Sequence, residues 1–121
     1  MRIIVCGSRD FEDEDAVRDA LLEHTTPYQR WQVTVVHGAA RGADHMAEVA
    51  ATDLEFSIER HPADWTSFGK SAGPRRNAEM AGLGADLCLA FWDGRSPGTA
   101  HMVTVATQAG IPVRIIPWKR K

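Results

Sequence analysis

The chain has 121 residues, 44% hydrophobic and 25% charged, with a formal net charge of −2. That length supports one modest core rather than two, and the composition is ordinary for a folded globular protein. The charge excludes a global basic field drawing the chain onto nucleic acid, and no apolar run is long enough to span a bilayer.

In chain order, Arg2–Cys6 is a continuous apolar run and predicts a strand buried on both faces. Met1-Arg2 leads straight into Ile3-Ile4-Val5, too short for a signal-peptide core, and a cytoplasmic location is expected. Gly7-Ser8-Arg9 follows at the strand's carboxyl end. The acids of Phe11-Glu12-Asp13-Glu14-Asp15 then open a helix where its dipole favours negative charge. Ala16, Leu21 and Leu22 are its expected inner face, and Pro27 ends it. Ser8 and Arg9 suit either a phosphate contact or a capped surface turn.

Val33, Val35 and Val36 predict the second strand. It breaks at Gly38, passes through Ala39-Ala40-Arg41-Gly42-Ala43-Asp44 and becomes an alanine-rich helix over Arg41–Thr52. Ala43, Met46, Ala47 and Ala50 recur on one face, as close packing on a sheet requires. A strand feeding a helix through a glycine loop aims backbone amides and a helix dipole at an anion. Arg41 adds a fork suited to phosphate or carboxylate. A plain βα turn is the alternative reading.

Glu55–Arg60 alternates Phe56 and Ile58 with polar residues and predicts a half-exposed edge strand. His61–Gly73 is the longest stretch expected to be irregular. Its Trp65 suits either stacking on a base or folding back over the core, and its Lys70 either a phosphate contact or solvent. A helix follows with Pro74 at its first position. Within it Arg75 and Glu79 are spaced to pair, while Arg76, Asn77 and Met80 share a face. Arg76 near a helix N-terminus opposes the dipole, which marks it for function.

Asp86–Trp92 predicts the fourth parallel strand. Asp93-Gly94-Arg95-Ser96-Pro97-Gly98-Thr99 lies at its carboxyl end, then a helix over Ala100–Ala109 and a last strand at Val113–Ile116. The alternation predicts an α/β fold: a single Rossmann-like, doubly wound parallel sheet of about five strands with helices on both faces. The domain is expected over 1–118, with a basic tail at 119–121. Ligands in such sheets bind at carboxyl ends, where strand order reverses. For a flavodoxin-like order we place that reversal between the first and fourth strands, flanked by Gly7–Arg9 and Asp93–Thr99. Cys6 and Cys88 lie in apolar runs and read as reduced, buried thiols. His37, His45, His61 and His101 show no metal-ligand spacing, so neither metal nor cofactor is expected. His37 reads as a satisfied core histidine.

GSRDF, VVHGAARGAD, HPADW, GPRRNAEM and AFWDGRSPGT together resemble the DUF2493 family, the YspA-type members of the SLOG superfamily of Rossmann-like nucleotide-binding domains. The resemblance runs from about Ile3 to Val113. More distantly, the chain resembles the LOG phosphoribohydrolases once labelled lysine decarboxylases, which cleave the N-glycosidic bond of nucleoside 5′-monophosphates. Their PGGxGTxxE motif is matched closely here only at Gly98-Thr99, and Met102 stands at the catalytic glutamate. Their RKxxM motif is matched at Arg76 and Met80.

The resulting expectation is a domain that binds a nucleotide or nucleotide-derived small molecule. Gly7, Ser8, Arg9, the loop Gly38, Ala39, Ala40, Arg41 and Gly42, then Arg76, Asn77, Gly94, Ser96, Gly98 and Thr99 would hold phosphate. Trp65 would stack on the base. One alternative is a nucleotide N-glycosidase in which Asp93 or Asp44 replaces the missing acid and Arg76 assists. Asp93 is also a common Asp-Gly turn signal. The other alternative is a DNA-processing accessory protein, against which the absence of a basic stripe speaks. The family resemblance implies a homodimer.

Overall fold

A computed structural model describes residues 1–118; the basic tail at 119–121 lies outside the described residues. Five parallel strands form one sheet: β1 (Arg2–Gly7), β2 (Thr34–His37), β3 (Ser57–Arg60), β4 (Leu87–Trp92) and β5 (Val113–Pro117). Their order is β3-β2-β1-β4-β5. The flavodoxin-like order is therefore corrected, because β3 lies outside β2 rather than beside β1. The reversal does fall between β1 and β4, which pair from Ile3↔Leu87 to Gly7↔Phe91. β3 is an edge strand with no fully buried residue, as its polar alternation requires.

Side chains alternate across β1. Ile3 and Val5 join one core with Val17 and Leu21 of helix α1 (Glu14–Thr25) and Ala43, Ala47, Ala50 and Ala51 of α2 (Ala43–Asp53). Ile4 and Cys6 join the other with Met80 and Ala81 of α4 (Ala72–Gly82) and Met102 and Ala106 of α5 (Pro97–Gln108). The sheet is thus covered on both faces.

Helix starts differ from expectation for local reasons. Asp13 caps α1 by accepting from the Ala16 amide (3.0 Å). Val17 and Ala20, not Leu22, complete the inner face with Leu21; Leu22 is 43% exposed. α2 begins at Ala43 rather than Arg41 because Gly42 takes a positive φ of 78°. His61–Gly73 is largely helical, which corrects its irregular reading. Asp64 accepts from the Ser67 amide and caps the short helix α3 (Trp65–Phe68); a 3₁₀ turn, Gly69–Ser71, leads straight into α4. Pro74 is consequently the third residue of α4, still within the turn whose amides lack intrahelical partners. Arg75 does not pair with Glu79. Its guanidinium lies 4.3 Å over the Phe68 ring, and Glu79 bonds His61 (2.8 Å).

Cys6 and Cys88 are both buried and unbridged. Among the described residues, no helix is long and apolar enough to cross a membrane.

Candidate functional site

Where the strand order reverses, a cavity of about 650 Å³ opens at the carboxyl ends of β1 and β4. Its floor is apolar, from Cys6, Met80 and Met102. Its walls are Gly7–Asp10, Ala40-Arg41 with Asp44, Arg76-Asn77, and Arg95–Thr99 with His101; Trp65 stands at its edge. The first turns of α2 and α5 both contribute, so two helix N-termini face one space.

Two glycines make the arrangement possible. A Cβ at Gly38 would lie 2.6 Å from Arg76 Cζ, so only glycine leaves room for that guanidinium. Gly42, at its positive φ, backs onto the β1 loop, where a Cβ would lie 2.6 Å from the Arg9 carbonyl oxygen.

Arg76 uses that room. Nη1 donates to the Gly38 carbonyl, and Nε donates to Asn77 Oδ1 (2.9 Å). Burial pulls its pKa below the ordinary value, opposed by the charge of Asp44 and reinforced by the cation of Arg9. It is a partly desolvated cation with a second cation nearby, a setting that an anion relieves. Asn77 is itself buried, and its Nδ2 donates to the Gly98 carbonyl (3.2 Å), tying α4 to the start of α5.

Asp44 is only 6% exposed. Its Oδ2 accepts from the amides of Gly38 (3.0 Å) and Ala40 (3.3 Å), which shapes the loop between β2 and α2. Burial raises its carboxyl pKa, against the pull of the Ala40 amide and the charge of Arg76. Cys6 is driven well above the usual thiol range, first by its contact with Cys88 and then by burial, so the cavity floor carries a protonated thiol.

The structure brings Gly7, Ser8, Arg9, Ala40, Arg41, Asp44, Trp65, Arg76, Asn77, Ser96, Gly98 and Thr99 to the cavity. Gly38, Ala39, Gly42, Gly94 and Asp93 are not among its lining residues. Asp93 Oδ1 accepts from the Arg95 amide (2.9 Å), the Ser96 amide (2.9 Å) and Ser96 Oγ (3.1 Å), shaping the turn before α5. Gly94 supplies that turn's positive φ of 81°. Ala39 adopts φ 59° and donates its amide to His37 Nδ1 (2.9 Å), leaving Nε2 as the protonated nitrogen facing Glu48 (2.9 Å). His37 is thus a core histidine with both nitrogens engaged. Trp65 is 49% exposed, with the Arg9 guanidinium 5.7 Å from its ring centroid. It is therefore not folded into the core.

Asp10, Arg95 and His101 also line the cavity and were not singled out from the sequence as site residues. For His101 a signal existed: it lies three residues after Gly98, on the same face of α5. Among the described residues, no cluster of His, Cys, Asp and Glu could hold a metal ion.

Fold and site together define a Rossmann-like α/β protein with an anion-suited cavity at its topological switch point. The family model of the YspA, cpYpsA-related SLOG proteins matches residues 1–68. The Gene 61 protein of Mycobacterium phage D29 is 47% identical over 119 residues, covering 93% of each chain. The chain belongs to the YspA, cpYpsA-related SLOG family. Among solved structures it is similar to DNA processing protein A (DprA) from Streptococcus pneumoniae, with a TM-score of 0.78 and 19% identity. That match covers 98% of this chain, which spans 50% of the DprA chain. It is also similar to the C-terminal domain of a hydrogenase from Pyrococcus furiosus, with a TM-score of 0.52, 16% identity, and coverage of 94% and 89%. At these identities the likeness speaks for the fold alone.

Proposed function

We propose that the cavity binds a nucleotide or nucleotide-derived small molecule. The observation that carries this reading is the convergence of Arg9, Arg41 and Arg76 with the first turns of α2 and α5 on one cavity at the β1/β4 reversal. Phosphate is the natural complement of such a donor set. The half-exposed Trp65 offers a face on which a base would stack. Asp44, buried beside the loop amides, suits a ribose hydroxyl. A homodimer accompanies this reading on the family resemblance. A thermal-shift screen against nucleoside mono- and diphosphates tests it, since a ligand that binds only the native state raises the melting temperature. No shift with any nucleotide, and none with ADP-ribose, would defeat it.

The second reading, a nucleotide N-glycosidase, is favoured by Asp44. Asp44 is among the residues that line the cavity, whereas Asp93 is not. Met102, at the position of the LOG glutamate, is 1% exposed and packed in the α4/α5 core. A thioether there supplies no charge for an oxocarbenium-like transition state.

A further inference from the structure

His101 has no part in the reading above, yet its ring is held by a side chain of a neighbouring helix, Asn77. It lines the cavity from the second turn of α5. Its Nδ1 lies 3.2 Å from Asn77 Nδ2. The protonation of the ring follows from Asn77. A guanidinium only donates, and Arg76 Nε donates to Asn77 Oδ1 (2.9 Å), so the other end of that amide is the NH₂ group. One of its hydrogens goes to the Gly98 carbonyl (3.2 Å). The other is left for His101 Nδ1, which must therefore accept. A neutral ring whose Nδ1 accepts carries its proton on Nε2. Among the described residues, Nε2 makes no hydrogen bond.

The buried amide of Asn77 thus holds the charge of Arg76 at one end and fixes the tautomer of His101 at the other. The first-turn amides of α5, including those of Gly98 and Thr99, have no intrahelical acceptors and lie beside this unit. The guanidinium, the imidazole Nε2–H and these amides are all donors. Their complement is a group with several lone pairs and negative charge.

We infer that His101 is a ligand-recognition residue, donating from Nε2 to an oxygen of a phosphate ester, with Asn77 as the positioning residue that selects the tautomer. This rests on the nucleotide reading above and deepens it. The phosphate ester meets a directional neutral donor as well as the Arg76 charge, so recognition here depends on ring orientation and not on charge alone.

Long-range ¹⁵N–¹H correlation spectra of histidine-labelled protein test the tautomer directly. The His101 signals are assigned by their loss in His101→Gln. The expected result is an Nε2–H ring in the free protein, whose Nε2 resonance moves on addition of AMP. Calorimetry with AMP then compares wild type, His101→Ala and His101→Gln, each checked for an unchanged thermal transition. His101→Ala should bind about tenfold more weakly, the range for one hydrogen bond to a charged group. His101→Gln, which keeps an N–H donor on a side chain of similar reach, should recover much of that loss. An Nδ1–H ring, or equal AMP affinity in all three proteins, overturns the role of His101 while leaving nucleotide binding in place. Failure of wild type to bind AMP removes the proposed role for this ligand class, and the screen of other nucleotides then decides whether the wider reading falls too.

Discussion

The guanidinium of Arg76 occupies the space that a side chain at position 38 would fill. Gly38 receives Arg76 Nη1 on its own carbonyl, and a Cβ there would lie 2.6 Å from Arg76 Cζ. This contact joins the loop after β2 to the first half of α4, and it sets the partly buried cation in the cavity lining.

Gly38→Ala should therefore weaken nucleotide binding by displacing Arg76. Arg76→Ala should cost about 1.5–3 kcal/mol of binding, as expected for a lost charge-assisted hydrogen bond. Gly38→Ala should show a loss of the same order, and the double variant should be no worse than Arg76→Ala alone, because the clash disappears with the guanidinium. Calorimetry on the four proteins measures the coupling. Strictly additive losses would mean that Gly38 acts independently of Arg76.

Trp65 lies at the cavity edge, with Arg9 above its ring. Trp65→Ala should cost about 1–3 kcal/mol of nucleotide binding, the range for one base stacked on an aromatic side chain. Fluorescence should change on nucleotide addition in wild type and much less in Trp65→Phe. Undiminished affinity in a folded Trp65→Ala protein would reduce Trp65 to a wall of the cavity.

LOG-type release of free base from AMP should be absent or very slow. The glutamate position holds Met102, and loss of one preorganised electrostatic contact typically costs a hundred- to thousand-fold in rate, on the order of 3–4 kcal/mol. Met102→Glu would bury a carboxylate among Met80, Cys6 and Ala106, so it should lower the melting temperature before it restores any turnover. Chromatography of AMP incubated with the protein checks this. Turnover near 1 per second would favour the enzyme reading, and abolition by Asp44→Asn but not Asp93→Asn would assign the acid.

Stability should depend on pH through the cluster linking β1, β3 and α4. Arg2 bonds Glu59 through both terminal nitrogens, and His61 sits between Glu59 (2.7 Å) and Glu79 (2.8 Å). Hydrogen bonds from Arg2 and then His61 lower the Glu59 pKa from 4.5 to about 2. The stabilisation from Glu59 is therefore full above pH 4.5 and lost as pH falls toward about 2. Burial works against charge on His61, but its bonds to Glu59 and Glu79 outweigh it and raise its pKa above 6.5. Its contribution is full below pH 6.5 and lost as pH rises through the raised value. The melting-temperature difference between wild type and His61→Gln should thus be largest between pH 4.5 and 6.5 and shrink on either side. A difference flat from pH 4 to 9 would dissociate His61 from both carboxylates.

The strands that matter most to the site were legible because burial on both faces leaves no polar alternation in Ile3–Cys6 or Leu87–Phe91. The place of β3 was not, since periodicity reports how buried a strand is and not which strand lies beside it. In His61–Gly73 the proline and glycines masked the capping role of Asp64, and a helix as short as Trp65–Phe68 has no periodic signature. Arg76 stood out in the sequence because it breaks a local electrostatic rule, and it lies in the cavity lining. Asp93 obeys the Asp-Gly turn rule: its carboxylate accepts within that turn, and it is not among the cavity's lining residues. The part of His101 depended on the rotamer of Asn77 on another helix, which no local pattern carries.

The loop after β1 and the loop before α2 are interlocked. The Ser8 carbonyl accepts from the amides of Phe11 (3.2 Å) and Ala43 (3.3 Å), while the Ser8 amide donates to Phe91 (3.1 Å). Gly42 packs against the same stretch. These loops are therefore ordered before any ligand arrives, and association spends little conformational entropy on that side of the cavity. For a nucleotide held as proposed, what ordering remains would fall on the exposed side chains of Arg9 and Trp65, at the mouth of the cavity and not in its walls.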